Sequence, residues 1–496
     1  MRSPGRPKGE YRSAEHEGTP MSSRVIPLPT LAPDLAPAVH AAPLRAAARR
    51  RPAATELPPA PRHAPDTGLP LLLLSELLLK VMQQHGLQHL QELAHHLKLG
   101  PALVEDLFVA LRKEALVEIR RRGELDGDVL YELTEAGRAR AGDALARNLY
   151  SGPAPVPLGA YAARVAAQSV ARMGVTRSEL EQALQGVVIR PEVRDQLGAA
   201  MNSQRAILLY GPSGAGKTYL CEQMARLLSG QIAVPHAVEV GGEIIRVFDP
   251  LVHTPARVTD SPHLTLDNRH RADARWVLCE RPMVMTGGEL TLEMLDLVFD
   301  PRAGYYQAPP HFKANNGMFL VDDLGRQLVT PRQLLNRWIL PMARQHDYLM
   351  LRNGSKFRIP FDSVLMFSTN LQPAEVADEA FLRRVGYKIY VGEVGLDDYR
   401  RITCEACAEY GVRFDDAVFD LLVNDHHRRD ARPLLACYPR DLVSQIADYA
   451  AYHGHAAELT PAMLDWAWHN YFASHTVGDA APAHRPTDPC ALERSP

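Results

Sequence analysis

Apolar residues run along this chain in two rhythms. Ala206-Ile-Leu-Leu-Tyr210, Gly317-Met-Phe-Leu-Val321 and Ser363-Val-Leu-Met-Phe-Ser-Thr-Asn370 are short and nearly continuous. Such runs read as strands buried on both faces of a parallel sheet. Around them the spacing is helical: Tyr219–Leu228, Tyr161–Met173, and a helix opened by Pro191 ahead of the first run. From Val394 onward the pattern is helical throughout, over Asp397–Tyr410, Asp415–Asp425, Tyr438–His453 and Thr460–Ala473. These rhythms predict an α/β core followed by an all-helical unit.

The amino-terminal part follows another plan. Helical faces at Leu69–Gln84, Leu87–Leu97 and Pro101–Glu114 precede two strand-like runs, Leu116–Ile119 and Val129–Leu133. A turn over Gly123–Asp128 joins the runs, and Thr134 opens another helix. Three helices and a two-stranded wing resemble a winged helix-turn-helix domain. Its third helix carries Glu105, Asp106, Arg112, Lys113 and Glu114, an acidic-leaning set poorly suited to phosphate. Only Arg120-Arg121-Arg122 on the wing favours DNA, so a protein-interaction or regulatory role ranks first. Tyr150–Pro157 is proline-rich and reads as a hinge.

Composition sets the limits. The 496 residues suffice for two or three domains, and the net charge of −3 gives no global reason to expect nucleic acid. No run of 18 apolar residues occurs, so no membrane span is expected. The basic amino terminus lacks an apolar stretch, and six scattered cysteines suit a reducing cytoplasm. Cys404 and Cys407 read as packed thiols on a helix. Residues 1–66 hold 13 of the 39 prolines, with ten Arg/Lys against six Asp/Glu, and read as a disordered basic arm. Arg49-Arg50-Arg51 lies there, and Met21 offers an alternative start. The expected organisation is arm 1–66, winged domain 67–150, hinge and linker helix 151–174, α/β unit 175–395 with an insertion around 250–312, helical lid 396–475 and tail 476–496.

The chemistry centres on Gly211-Pro212-Ser213-Gly214-Ala215-Gly216-Lys217-Thr218, which follows the first strand and opens a helix. This is the phosphate-loop pattern in its confirming context. Its glycines let backbone N–H groups turn inward toward phosphate oxygens, and the helix amino terminus adds a favourable field. Lys217 is placed to reach the β- and γ-phosphates, and Thr218 to offer its hydroxyl to Mg²⁺. Asp322 falls at the carboxyl end of the second strand, where ligands of open α/β sheets sit, and can hold the metal. Asn370 ends the third strand, where it can bond the γ-phosphate or orient water. Ala380-Phe-Leu-Arg383-Arg384 and Cys437-Tyr-Pro-Arg440-Asp-Leu follow.

This order of motifs, over residues about 175 to 475, resembles the AAA+ ATPases. The resemblance implies ATP and Mg²⁺ as ligands, with Thr218 and Asp322 on the metal and Asn370 as sensor 1. It implies Arg383 or Arg384 as an arginine finger reaching a neighbouring subunit, and Arg440 as sensor 2 on the lid. It also implies that the segment around Val188 walls the adenine, and that the subunits form a ring, expected as a hexamer. Asp347–Arg352 and Ser355–Ile359 flank Asn353-Gly354, which predicts a hairpin with a type I′ turn. Its place before the third strand resembles the clade containing MoxR-like, RuvB and ClpX ATPases, whose hairpins often face a central pore.

Two features qualify the picture. Lys217 to Asp322 spans 105 residues, more than a minimal core needs. The excess holds a loop at Thr254–Asn268, an expected helix at Gly288–Phe299, and the aromatic Tyr305–Pro310, a candidate partner surface. Asp323 stands where this superfamily usually has a glutamate general base, one methylene shorter. The expected protein is a cytoplasmic, chaperone-like ATPase acting on a macromolecular client. The alternatives are a DNA-associated machine, although no G-A-F-T-G-A loop is present, and a slowly hydrolysing ATP-dependent switch.

Overall fold

The structure is a computed structural model that describes residues 57–122, 129–256 and 272–472. The basic arm up to 56, the wing turn 123–128, most of the 254–268 loop and the tail lie outside them.

The first elements are α1 (Leu71–His85), α2 (Leu90–Leu97), α3 (Pro101–Lys113), β1 (Val117–Arg122), β2 (Val129–Leu133) and α4 (Glu135–Arg147). β1 and β2 pair antiparallel. Leu74, Leu78, Val81, Leu93, Leu97, Leu107 and Phe108 bury their side chains in one cluster. That cluster continues into Ala237 and Ile244, far along the chain. The proline-rich stretch expected as a hinge is therefore packed: Tyr150, Ala154 and Val156 are buried. The Tyr150 hydroxyl donates to the Pro153 carbonyl at 2.6 Å, and Arg275, itself buried, donates to the Pro155 and Thr67 carbonyls.

Next come β3 (Val156–Pro157), α5 (Leu158–Ala167), α6 (Arg177–Ala183), α7 (Pro191–Met201), β4 (Ala206–Tyr210), α8 (Lys217–Ala225), β5 (Gln231–Pro235), β6 (Ala237–Val240), β7 (Glu243–Arg246), β8 (Trp276–Glu280) and β9 (Met283–Thr286). The expected helix over Tyr161–Met173 stops at Ala167. Gln168 there turns its buried amide onto the Ala233 carbonyl and Asn316, and Ser169 donates to Asp362 at 2.6 Å.

The remainder is β10 (Val298–Asp300), β11 (Tyr305–Gln307), α9 (Pro310–Lys313), β12 (Met318–Val321), α10 (Pro331–Arg344), β13 (His346–Met350), β14 (Lys356–Pro360), β15 (Val364–Thr369), α11 (Pro373–Val376), α12 (Glu379–Leu382), β16 (Val385–Tyr390), α13 (Leu396–Tyr410), α14 (Asp416–Leu421), α15 (Cys437–His453) and α16 (Pro461–Phe472).

The core sheet runs β16-β4-β15-β12-β9, all parallel. Together with its flanking helices and the loop after β4, it is an α/β fold of the P-loop NTPase type. β9, an edge strand of four residues, lies inside the span read as insertion. Its pattern is weak because Met285 faces outward, half exposed. Elsewhere in that span, β10 and β11 join β7, β6 and β3 in a second sheet, and β8 pairs with β5.

The helix expected over Gly288–Phe299 is absent. A short 3₁₀ turn, Glu293–Leu295, occurs there, and β10 pairs antiparallel with β11. Leu290 and Leu295 enter the core from this irregular segment. Tertiary burial and strand pairing outweigh a local helical pattern here. The β13–β14 hairpin forms, with Met350 opposite Lys356, so five residues connect the strands. In that loop only Gly354 takes a positive φ, 84°. The type I′ expectation fails because the tip closes around Leu351, whose N–H donates to the Ser355 carbonyl, and Leu351 is buried.

The carboxyl-terminal helices α13–α16 enclose Tyr399, Phe419, Leu442, Ile446 and Trp468. The helix expected to Asp425 becomes a π-helical turn at Leu422–His427. The Tyr399 hydroxyl lies 2.8 Å from His427 Nε2. Cys404 and Cys407 are free thiols on α13, Cys407 buried.

Asp347 anchors the hairpin. Arg337 of α10 donates to both its oxygens at 2.7 Å, and His311 of α9 lies 3.1 Å away. Burial alone would raise the Asp347 carboxyl, but the close His311 ring and the two hydrogen bonds from Arg337 outweigh it and bring it down to about 2. A depressed carboxylate stabilises above its unfolded value of about 3.9 and loses that contribution as pH falls through the folded value. Asp347→Ala should cost about 3 kcal/mol at neutral pH. In urea unfolding, the difference from wild type should shrink as pH drops from about 4 toward about 2.

Candidate functional site

The parallel register lines up the strand ends. Tyr210 of β4 pairs with Thr369 of β15 and Tyr390 of β16, and Val321 of β12 with Phe367 and with Thr286 of β9. The residues leaving those ends, Gly211, Asp322, Asn370 and Val391, therefore share one edge. This is the carboxyl edge, where open α/β sheets bind ligands.

Gly211–Gly216 wraps the amino terminus of α8. Gly211 and Gly214 adopt φ of 147° and 84°. A Cβ on Gly211 would sit 2.0 Å from the Val391 carbonyl oxygen, and one on Gly214 would sit 2.3 Å from Cys437 Sγ. Only glycine meets both the torsion and the approach. Lys217 Nζ donates to the Gly211 carbonyl at 3.0 Å, the Pro212 carbonyl at 2.8 Å and Asn370 Oδ1 at 2.6 Å. Burial lowers the Lys217 ammonium from its ordinary value, while Asp323 and Asp322 pull it back up.

Thr218 Oγ1 lies 3.0 and 2.9 Å from the two Asp322 oxygens. A hydroxyl and a carboxylate side by side beside a phosphate cradle suit a hard divalent cation that keeps most of its waters. Asn370 Nδ2 donates to Asp323 Oδ1 at 3.3 Å. One side chain thus touches both the lysine and the second carboxylate.

A cleft of about 550 Å³ opens over the loop. Ser213 to Tyr219, Asp323 and Asn370 form its polar end. Val187, Val188, Ile189, Val193, Tyr390 and Val391 form an apolar slot beside them. The carboxyl-terminal helices contribute Ile402 and Glu405 from α13, and Cys437, Arg440 and Asp441 from α15. The Cys437 N–H donates to the Gly214 carbonyl at 3.2 Å, seating the start of α15 on the loop.

The expected residues divide accordingly. Ser213, Gly214, Ala215, Gly216, Lys217, Thr218, Asp323, Asn370, Val188 and Arg440 line the cleft. Gly211 and Pro212 underlie it through the lysine contacts, and Asp322 stands behind Thr218. Arg440 lines the rim but spends its guanidinium on Glu409 at 2.7 Å. Arg383 and Arg384 do not line it. Arg383 pairs with Glu379 at 2.8 Å, and Arg384 donates to the Ala380 carbonyl. Both border a smaller cleft at the opposite ends of the strands, with Arg205 and Val364. Sequence reasoning missed Glu405, Cys437 and the Tyr390–Val394 exit. None carries a motif, and a cysteine or glutamate on an amphipathic helix signals nothing until the helix is docked.

A family profile described as "Domain of unknown function (DUF8689)" matches residues 395–470, which hold the helices α13–α16. No curated protein matches the chain. Among solved structures, NtrX from Brucella abortus is similar at 13% identity, covering 57% of this chain and 56% of that one, with a TM-score of 0.37. NtrX in complex with ATP gives 13%, 59% and 56%, with a TM-score of 0.35. The RuvB Holliday junction branch migration motor of Thermotoga maritima gives 12% identity, 58% and 72% coverage, and a TM-score of 0.33. The chain spans just over half the length of the NtrX chains.

The seating of α15 on the loop makes Gly214 a sensitive position. Gly214→Ala should weaken binding of a fluorescent ATP analogue at least about 10-fold, since a misplaced cradle loses several charge-assisted hydrogen bonds together. Adding Cys437→Ala should recover part of the loss by removing the clash, while the torsional strain remains.

Proposed function

We propose that this protein is an AAA+ ATPase that binds Mg-ATP in the cleft above Gly211–Thr218 and hydrolyses it. The observation carrying the reading is the contact set at the strand ends: Lys217 and Asp323 both on Asn370, and Thr218 on Asp322. In this reading the loop amides and Lys217 hold the β- and γ-phosphates, and Lys217 exchanges its carbonyl contacts for phosphate oxygens. Thr218 and Asp322 hold Mg²⁺, which supplies charge neutralisation to the phosphates. Asn370 orients the attacking water, and Asp323 takes its proton. Val188 and its neighbours wall the adenine. Arg440 leaves Glu409 to meet the γ-phosphate as the lid closes.

Arg383 and Arg384 lie off their own cleft, which suits service to the nucleotide of a second copy in a ring, here a hexamer. The work is remodelling of a macromolecular client in the cytoplasm. The 71–147 unit, a winged helix-turn-helix domain in this reading, serves as a protein-interaction module. The outward face of its α3 offers Glu105 and Asp106, which phosphate would repel. Among the described residues no helix is long and apolar enough to cross a membrane.

A second reading, a slowly turning ATP-dependent switch, is favoured by the short Asp323. Its carboxylate is engaged by Asn370, which competes with reaching water.

Phosphate release by the purified chain separates these readings. Lys217→Ala should abolish ATP binding and turnover. Asp323→Asn should keep binding and lower turnover at least about 100-fold. Arg383→Ala/Arg384→Ala should lower turnover without changing affinity, and mixing with Lys217→Ala subunits should restore part of it. ATP-driven assembly without turnover, gained on Asp323→Glu, would favour the switch. Absence of any ATP binding by wild type sinks both readings.

A further inference from the structure

The turn carrying the two carboxylates is strained and must be held. Asp323 adopts φ 48°, a left-handed conformation uncommon outside glycine, and Gly325 follows at 112°. Such a conformation persists only where the surroundings over-determine it. Leu324 supplies part of the restraint. Its N–H donates to the Ser368 carbonyl at 2.7 Å, and its carbonyl accepts from the Thr369 hydroxyl at 2.6 Å.

Gln327 supplies the rest. It is the one buried residue between exposed neighbours: Gly325 and Arg326 before it, and Leu328, 86% exposed, after it. Its Nε2 lies 3.0 Å from the Asp322 carbonyl oxygen, 3.3 Å from that of Asp323 and 3.2 Å from that of Gly287, at the end of β9. Its Oε1 accepts from the Gly325 N–H at 2.8 Å. One amide therefore gathers the carbonyls of both carboxylate-bearing residues and pins them to the adjacent strand end. A side chain held so by backbone is costly to replace, because its loss leaves several carbonyls short of a donor.

We propose that Gln327 is a positioning residue for hydrolysis: it fixes the Asp322–Asp323 turn so that the shorter Asp323 carboxylate stays aimed at the γ-phosphate end of the cleft. The proposal rests on the ATPase reading above. Gln327 touches neither the loop nor the apolar slot, so its effect belongs to the chemical step and not to nucleotide affinity. Because its neighbours are exposed, the same amide links an outward loop to the hydrolytic carboxylate.

The test uses the full chain with Gln327→Glu, which keeps the shape and removes the donor, and Gln327→Ala. ATP turnover, the dissociation constant for a fluorescent ATP analogue, and amide hydrogen exchange over residues 322–326 are measured. The expected result is a kcat at least about 10-fold lower with affinity within about 2-fold. Exchange over 322–326 should be faster, and that over 211–218 unchanged. Added to Asp323→Asn, the Gln327→Glu change should lower turnover no further. An unchanged kcat, or equal losses in affinity and kcat, overturns the proposal. If wild type binds ATP without turning it over, the hydrolysis reading fails by itself. Exchange then decides for Gln327, and unchanged exchange over 322–326 in both variants overturns its role.

Discussion

Everything at the candidate site depends on the parallel register of β4, β12, β15 and β16. Backbone pairing brings residues about 50 to 180 positions apart to one sheet edge. Asn370 exploits this most fully, since its two amide atoms meet Lys217 on one side and Asp323 on the other. A slip of one residue in β15 would turn Asn370 to the wrong face and separate the lysine from the carboxylate. The tight burial of Ile207, Leu209, Phe319, Leu320, Met366 and Phe367 enforces that register.

Around this sheet the chain adds material that stiffens rather than decorates. The helices α1–α3 do not form a separate core; they share one with β6 and β7 of the second sheet. Tyr161 of α5 packs on Phe312 of α9, and Asn315 donates to the Tyr161 hydroxyl at 2.8 Å. Asp347 joins α9 and α10 to the hairpin. Packed side chains thus run from the amino-terminal helices, through β6, to the elements flanking β12 and β15. Interfaces of this kind respond by small discrete shifts and not by bending.

The carboxyl-terminal helices are held differently. Among the described residues their backbone hydrogen bonds to the core are few: the Cys437 N–H donates to the Gly214 carbonyl, and the Leu434 carbonyl accepts from the Val394 N–H. Leu435 enters the core cluster, and Cys437 and Tyr438 pack against it. The interior of these helices, by contrast, is well filled around Tyr399 and Trp468.

Local chemistry was open to sequence reading. The phosphate loop, the acidic end of β12 and the asparagine ending β15 each announce themselves within about ten residues, because strand burial and glycine torsions are short-range requirements. The helices of both ends were readable for the same reason. Elements defined by distant partners were not. β9 is too short and too exposed to show a pattern, the 288–299 segment gives up its helical rhythm to pair with β11, and the hairpin tip follows Leu351 and not Asn353-Gly354. Gln327 looked like any polar loop residue until the fold set three carbonyls around it. Sequence alone singled out the groups proposed to handle phosphate; the tertiary structure decided which groups hold them in place, because that depends on contacts whose partners are far apart in the chain.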